Sequence, residues 1–341
     1  MSGFTLGLAV LGGLVLAFLV GWNAWTTRRA TPRQAEVAVA QAAAADVQER
    51  NEPVLDDVPL APLPLPERKP GLDALIDALA QIAVDATASG ELALSALPPT
   101  RRAGSKPFAI EGRNEATGDW ETPRAGQRYT AFQAGVQLAN RSGALNDIEF
   151  SEFVMKTQAF ADAVNGAAEF PEMRDEVARA RELDQFASTH DAQLGFTLRA
   201  RNAAWSPGYV QQNASRLGFV AGAIPGRLVQ PASVPGGPPV LGLAFSTQAA
   251  LSDDPSHSAI RDVILSLDVT HVPRSEQPFA RMADAAIALA ASMDGLITDD
   301  NGHVIPKEAL DRIGADLEQL YDTLDARDLS AGSPQARRLF S

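Results

Sequence analysis

VILSLDV, residues Val263 to Val269, decides the fold. Val263, Leu265, Leu267 and Val269 fall on one side of an extended chain, and Ile264, Ser266 and Asp268 on the other. That period of two marks a strand with one face covered and one bare. The residues after it change period. Pro278 to Met293 is Ala-rich, with Phe279, Met282, Ala286, Leu289 and Met293 on one stripe, and predicts a helix closed at Asp294-Gly295. Leu296-Ile297-Thr298, Asp299-Asp300-Asn301-Gly302 and His303-Val304-Ile305 predict a hairpin about an Asn-Gly turn. Pro306 then opens a last helix, in which Leu310, Ile313, Leu317, Leu320 and Leu324 recur at helical steps.

Upstream, Leu194 to Arg201 (LGFTLRAR) alternates like a half-buried strand, and Tyr209 to Leu217 predicts a short helix ending at Gly218. Phe219 to Val229 and Val240 to Ser246 read as strands around the turn-rich stretch Pro231 to Pro239. Strands with helices returning to one side predict an α+β fold, an antiparallel sheet with helices on one face. The middle of the chain repeats the grammar more weakly. Leu79 to Asp85, Phe108 to Arg113 and Ala131 to Ala139 predict strands, and Gly90 to Leu97, Phe150 to Val164 and Pro171 to Phe186 predict helices. Two tandem copies follow from that order. The alternative is one continuous domain, supported by the lack of a hairpin between the two helices that close the middle segment.

The N-terminus predicts a place of work. Phe4 to Trp25 is an apolar run without a charge, followed by Arg28, Arg29 and Arg33. About 22 residues give roughly 33 Å of helix, enough for the ~30 Å hydrocarbon core of a bilayer. Met1 to Gly3 lacks the basic residues of a cleavable signal, so the reading is a retained single-pass anchor. Trp22 and Trp25 suit the headgroup belt, and the arginines place the rest of the chain in the cytoplasm. Gln34 to Arg50 reads as a helical stalk. Prolines at 53, 59, 62, 64, 66 and 70 favour an extended, semi-rigid spacer. The expected organisation is an anchor at 1–29, stalk and linker at 30–70, an accessory or degenerate α+β domain at 71–187, a binding domain at 188–326 and a flexible tail at 327–341.

A net charge of −13 argues against a nucleic-acid partner, which needs clustered cations. The absence of cysteine fits a reducing compartment. Known catalytic and metal patterns do not emerge. The histidines at 190, 257, 271 and 303 have no metal-ligand spacing, and Asp299, Asn301, Gly302 and Glu308 mimic a calcium loop but carry Ile297 where its first carboxylate belongs. Pro235-Gly236-Gly237-Pro238 lacks the Lys-Ser/Thr of a phosphate loop, and Ser252-Asp253-Asp254 with His257 lacks a nucleophile elbow. Arg101, Arg102 and Lys106 read as a small solvated cluster. The expectation is a binding protein, with no catalytic residue, metal, cofactor or small-molecule substrate.

The anchor with its arginines and residues 190–325 resemble the ZipA family of bacterial division proteins. The run from Gln277 through FARMADAAIALAASMDGLITDDNGHVIPKEALDRI is similar to that family's helix, acidic hairpin and Pro-opened helix, and GFVAGAI and VILSLDV look like its second and fourth strands. The resemblance implies a six-stranded antiparallel sheet with three helices on one face. It implies that the bare face takes the C-terminal peptide of FtsZ, holding the Z ring at the inner membrane for septum assembly. Carried over strand by strand, the groove falls on Ile224, Gly226 and Leu228, on Gly242, Ala244 and Ser246, and on Ile264, Ser266 and Asp268, with Thr197 and Arg199 beside them. The family has bulky apolar residues at several of these positions, whereas here they are small or polar. A scaffold of the same fold with a different division or envelope partner is the alternative.

Overall fold

The predicted strand and helix around Val263 and Pro278 form the centre of one compact unit of the computed structural model, which describes residues 32–34, 71–234, 236–252 and 258–341. The expected anchor, and the stalk and linker from residue 35 to 70, lie outside the described residues. Among the described residues no helix is long and apolar enough to cross a membrane.

Two compact units divide the chain, and the fold is α+β with antiparallel sheets. The first unit comprises residues 71–192 and 318–341. Its elements up to residue 192 are β1 (Asp77–Ser89), α1 (Gly90–Ala96), β2 (Arg102–Ala103), β3 (Lys106–Asn114), β4 (Trp120–Glu121), β5 (Arg128–Gln137), β6 (Ala139–Asn140), β7 (Gly143–Ala144), α2 (Asp147–Ala163), β8 (Gly166–Glu169) and α3 (Met173–His190). The second unit, residues 193–317 with Pro32–Gln34, carries β9 (Gln193–Ala200), α4 (Pro207–Ser215), β10 (Val220–Ala221), β11 (Arg227–Gln230), β12 (Leu241–Ala244), α5 (Thr247–Ala250), β13 (Asp262–Asp268), α6 (Pro278–Met293) and β14 (Gly295–Thr298). Helix α7 (Lys307–Asp325) follows, its residues from Glu318 grouping with the first unit, and α8 (Pro334–Leu339) ends the chain.

In the second unit the strand order is β10-β11-β12-β13-β9-β14, antiparallel throughout. Alternation sets its two faces. Leu228, Leu243, Leu265 and Phe196 are cross-strand neighbours and all buried, as are Val263, Leu267 and Leu198 beside them. Helix α6 packs over β9, β13 and β14, burying Met282, Ala286, Leu289 and Met293, and Phe279 meets Phe196 edge-on at 6.4 Å. Full burial of each of the Met and Leu side chains among them contributes roughly 1.5–3 kcal/mol. Asp294 ends α6 in the left-handed region at φ 56, a conformation that Asp tolerates better than most residues.

The first unit orders its strands β2-β3-β5-β1-β8, with β4 beside β3. Setting aside β10 and β4, the two orders correspond position by position: β2 with β11, β3 with β12, β5 with β13, β1 with β9 and β8 with β14. The helices fall at matching points, α1 and α4 after the first strand, α2 and α6 before the last, α3 and α7 after it. Strand β8, of sequence GAAE, is the counterpart that the middle segment lacks when read as sequence alone. An Asn146/Glu149 capping box starts α2, whose Phe153 and Phe160 make edge contacts with Phe108 and Phe132 respectively, while Phe150 meets Phe153 edge-on.

The C-terminal residues depart from expectation. Residues 327–341, expected as a flexible tail, contain α8, and Leu339 and Phe340 are buried. Ser333 caps this short helix and Pro334 opens it, and its apolar residues pack against the first unit.

Candidate functional site

The uncovered face of the second unit's sheet is a grid of small residues set between larger ones. Across the strands one row runs Val220, Val229, Gly242, Ser266, Gly195, and the next Arg227, Ala244, Ile264, Thr197, closing at the β14 edge on Thr298, which is buried. Asp262, Arg199 and Leu296 form a third. Five strands at about 4.8 Å spacing make the first row roughly 19 Å wide, room for a helix of about 10 Å diameter.

The floor is low because two positions, one at the centre of the first row and one at its β9 end, carry no side chain. A Cβ added at Gly242 comes 2.7 Å from Ser266 Oγ, and one at Gly195 meets nothing closer than Asp300 Oδ1 at 3.8 Å. Ile264 and Val220 rise from this surface, each 50% exposed. At one margin Arg199 Nε donates to Asp262 Oδ1 at 2.8 Å, and that hydrogen bond raises the guanidinium further above its already high value. The face offers apolar contact with a charged rim, the composition of a protein-docking surface.

Six of the residues singled out from the sequence lie together on this face: Thr197, Arg199, Gly242, Ala244, Ile264 and Ser266. Asp268 ends β13 on the same side, accepting from Thr270 Oγ1 at 3.1 Å. Four others do not join them. Ile224 and Gly226 belong to a turn between β10 and β11, closed by Arg227 N donating to Ile224 O at 3.0 Å, with Gly226 at φ 79. Leu228 is buried on the covered face opposite Leu243. Ser246 lies beyond β12 and caps α5, accepting from Ala249 N.

The physical reason is register. A continuous strand from Phe219 to Val229 puts Ile224, Gly226 and Leu228 on one side, but the turn restarts the alternation, and a one-residue offset exchanges the faces. Arg227 and Val229 take the open positions instead. Pro225-Gly226 signals this turn, because Pro fixes φ for its second residue and Gly supplies the positive φ of its third.

Other groups considered from the sequence take ordinary places. Asp299 accepts from Asn301 N and His303 N, at 2.9 and 2.8 Å, holding the hairpin turn, and these backbone donors keep its carboxyl below the usual range. Among the described residues no cluster of His, Asp and Glu is arranged to hold a metal. Lys106 differs from the solvated cluster expected: it is buried, and its Nζ donates to Ser105 Oγ and Asn140 Oδ1, both at 2.9 Å.

Pro32 to Gln34 dock on the second unit beside the C-terminal end of α6. Arg33 N donates to Ala204 O at 2.6 Å and Ser206 N to Arg33 O at 2.8 Å, while the Arg33 side chain pairs with Asp294 at 3.0 Å. Trp205, fully buried beneath, donates from Nε1 to Met293 O at 2.8 Å. No protein-family model matches the chain, and no curated protein matches it.

Proposed function

We propose that the chain is a membrane-anchored cell division protein whose second unit docks the C-terminal peptide of FtsZ and so tethers the Z ring to the inner membrane. The observation that carries this reading is the bare sheet face around Gly242, Ala244 and Ile264, opposite a face covered by α6. A short helical peptide laid on it buries its own apolar side chains over the glycine floor and covers Ile264 and Val220. Binding energy in such grooves comes from a few desolvated apolar anchors. The two units, on this reading, are tandem copies of one ZipA-like domain, and the matching strand orders support it.

Residues 4–25 supply the anchor in this account, with the two units on the cytoplasmic side. Arg33 supports a short tether. About eight residues separate it from Trp25, so a fully extended chain keeps the second unit within about 30 Å of the end of the span. The activity needs no catalytic step, cofactor, nucleic acid or small-molecule substrate. The test is a titration of fluorescent FtsZ tail peptide against the full chain: saturable binding in the micromolar range supports the proposal, and none at several hundred micromolar, roughly −5 kcal/mol or weaker, rejects it.

The small residues of the floor favour a second reading, a scaffold of the same fold whose open face takes a different division or envelope protein. Recovery of such a protein with the full chain, through the Ile264 face and without FtsZ, supports this alternative.

A further inference from the structure

The first unit's sheet has a corresponding face, and the chain itself covers it. Phe132, Ala134 and Val136 of β5 point toward α2, so Gln133, Gly135 and Gln137 point away, next to Asp77, Leu79 and Gln81 of β1 and to Glu111 of β3. In the second unit the matching positions are open. Here Asp77, Glu111, Gln133 and Gln137 are buried.

Two segments from the ends of the unit lie over them. Leu72 stands on Gly135 so closely that an added Cβ falls 2.5 Å from its Cδ2, and Leu72 N donates to Glu111 Oε1 at 3.1 Å. From α8, Arg338 donates through both terminal nitrogens to the Asp77 carboxylate, and Gln137 Nε2 donates to Arg338 O at 2.7 Å. Burial pushes the Asp77 carboxyl upward and Arg338 opposes that shift. The fit is incomplete. A cleft of about 190 Å³ remains between Gly71, Leu72 and Asp73 on one side and Pro334, Gln335 and Arg338 on the other. Six residues are too few to hold a helix in water, so α8 owes its form to being docked.

We propose that this face of the first unit is a second peptide-binding site, held shut by the chain's own residues 331–341. In trans it takes a short helical peptide of the same chemistry, an arginine for Asp77 followed by adjoining apolar side chains such as Leu339 and Phe340. The comparison of faces draws on the peptide reading of the second unit, but every residue tested belongs to the first. A segment tethered in cis acts at roughly millimolar effective concentration, so an outside peptide competes only when α8 is weakened or outnumbered.

The experiment measures binding of a labelled peptide of residues 330–341 to the full chain, to its Arg338→Ala variant and to a chain ending at Ser330. The expected result is at least tenfold tighter binding to both altered chains than to the unaltered one, and at least tenfold loss when the peptide itself carries Arg338→Ala. If the shortened chain unfolds, the peptide is expected to restore its cooperative melt. A shortened chain that folds and ignores the peptide overturns the proposal, as does one that stays unfolded in millimolar peptide, for then α8 is an ordinary part of the core. Failure of the FtsZ titration leaves these results unaffected, so the two readings fail separately.

Discussion

Replacing Ile264 with Ala or Asp separates binding from folding on the open face. Ile264 is 50% exposed before any partner arrives. Complete burial of such a side chain is worth about 1.5–3 kcal/mol, so covering the exposed half contributes about 1 kcal/mol to docking. Ile264→Ala is expected to weaken FtsZ peptide binding about fivefold. Ile264→Asp adds an unpartnered carboxylate at the contact, at least about 2 kcal/mol more, for a total loss above about a hundredfold. Neither removes packing from the covered side, so the unfolding free energy from urea melts should change by less than about 1 kcal/mol. The adjacent Leu265→Ala, fully buried, should cost about 2–5 kcal/mol of stability. Fluorescence anisotropy with the peptide and urea melts of each full-length variant measure both quantities. Undiminished binding by Ile264→Asp refutes the reasoning, and so does a collapse of stability in that variant.

The register of β11 gives a paired test: Val229→Lys should weaken peptide binding with little change in stability, whereas Leu228→Lys should unfold the second unit, read by circular dichroism. Lys106 is expected to make stability depend on alkaline pH. Burial lowers its folded pKa below the ordinary value of 10.5, so the unfolded chain binds more protons between the two values and stability rises with pH across that window. Lys106→Met should remove that rise in urea melts while staying within about 1 kcal/mol of the parent at neutral pH, since Asn140 Oδ1 still accepts from Ser142 N. Trp205→Ala should cost the second unit about 3–5 kcal/mol, and Arg33→Ala about 1 kcal/mol or less, because the Arg33–Asp294 pair is part-exposed.

The elements legible in the sequence are those whose local period is strong. β13 and α6 stand where VILSLDV and the Met282/Ala286/Leu289 stripe predict them, and the Asn165-Gly166 stop after α2 coincides with Asn165 at φ 53. β8 escaped because GAAE carries neither alternation nor β-branched residues, and its pairing with β1 alone makes it a strand. α8 escaped because the Ser333-Pro334 start signal is followed by only six helical residues, too few to show a period, and what holds them is Arg338 meeting Asp77, more than 250 positions earlier. Most of the open face was readable, since β9, β12 and β13 keep their alternation without interruption. The β11 side was not, because the five residues from Gly222 to Gly226 reset the parity, and the Pro225-Gly226 turn that does so interrupts what reads as one strand. Lys106 reads as surface by residue type. Only the fold reveals Asn140 and Ser105 waiting around its ammonium group.

The absence of cysteine from the chain permits a direct measurement on the face itself. A single thiol at Ser266, in the exposed centre of β13, and another at Ser151, exposed on α2, can each be alkylated in the full-length protein with and without saturating FtsZ tail peptide. The account requires that the peptide slow alkylation at 266 at least tenfold and leave 151 unchanged. Equal rates at 266 with and without peptide contradict it.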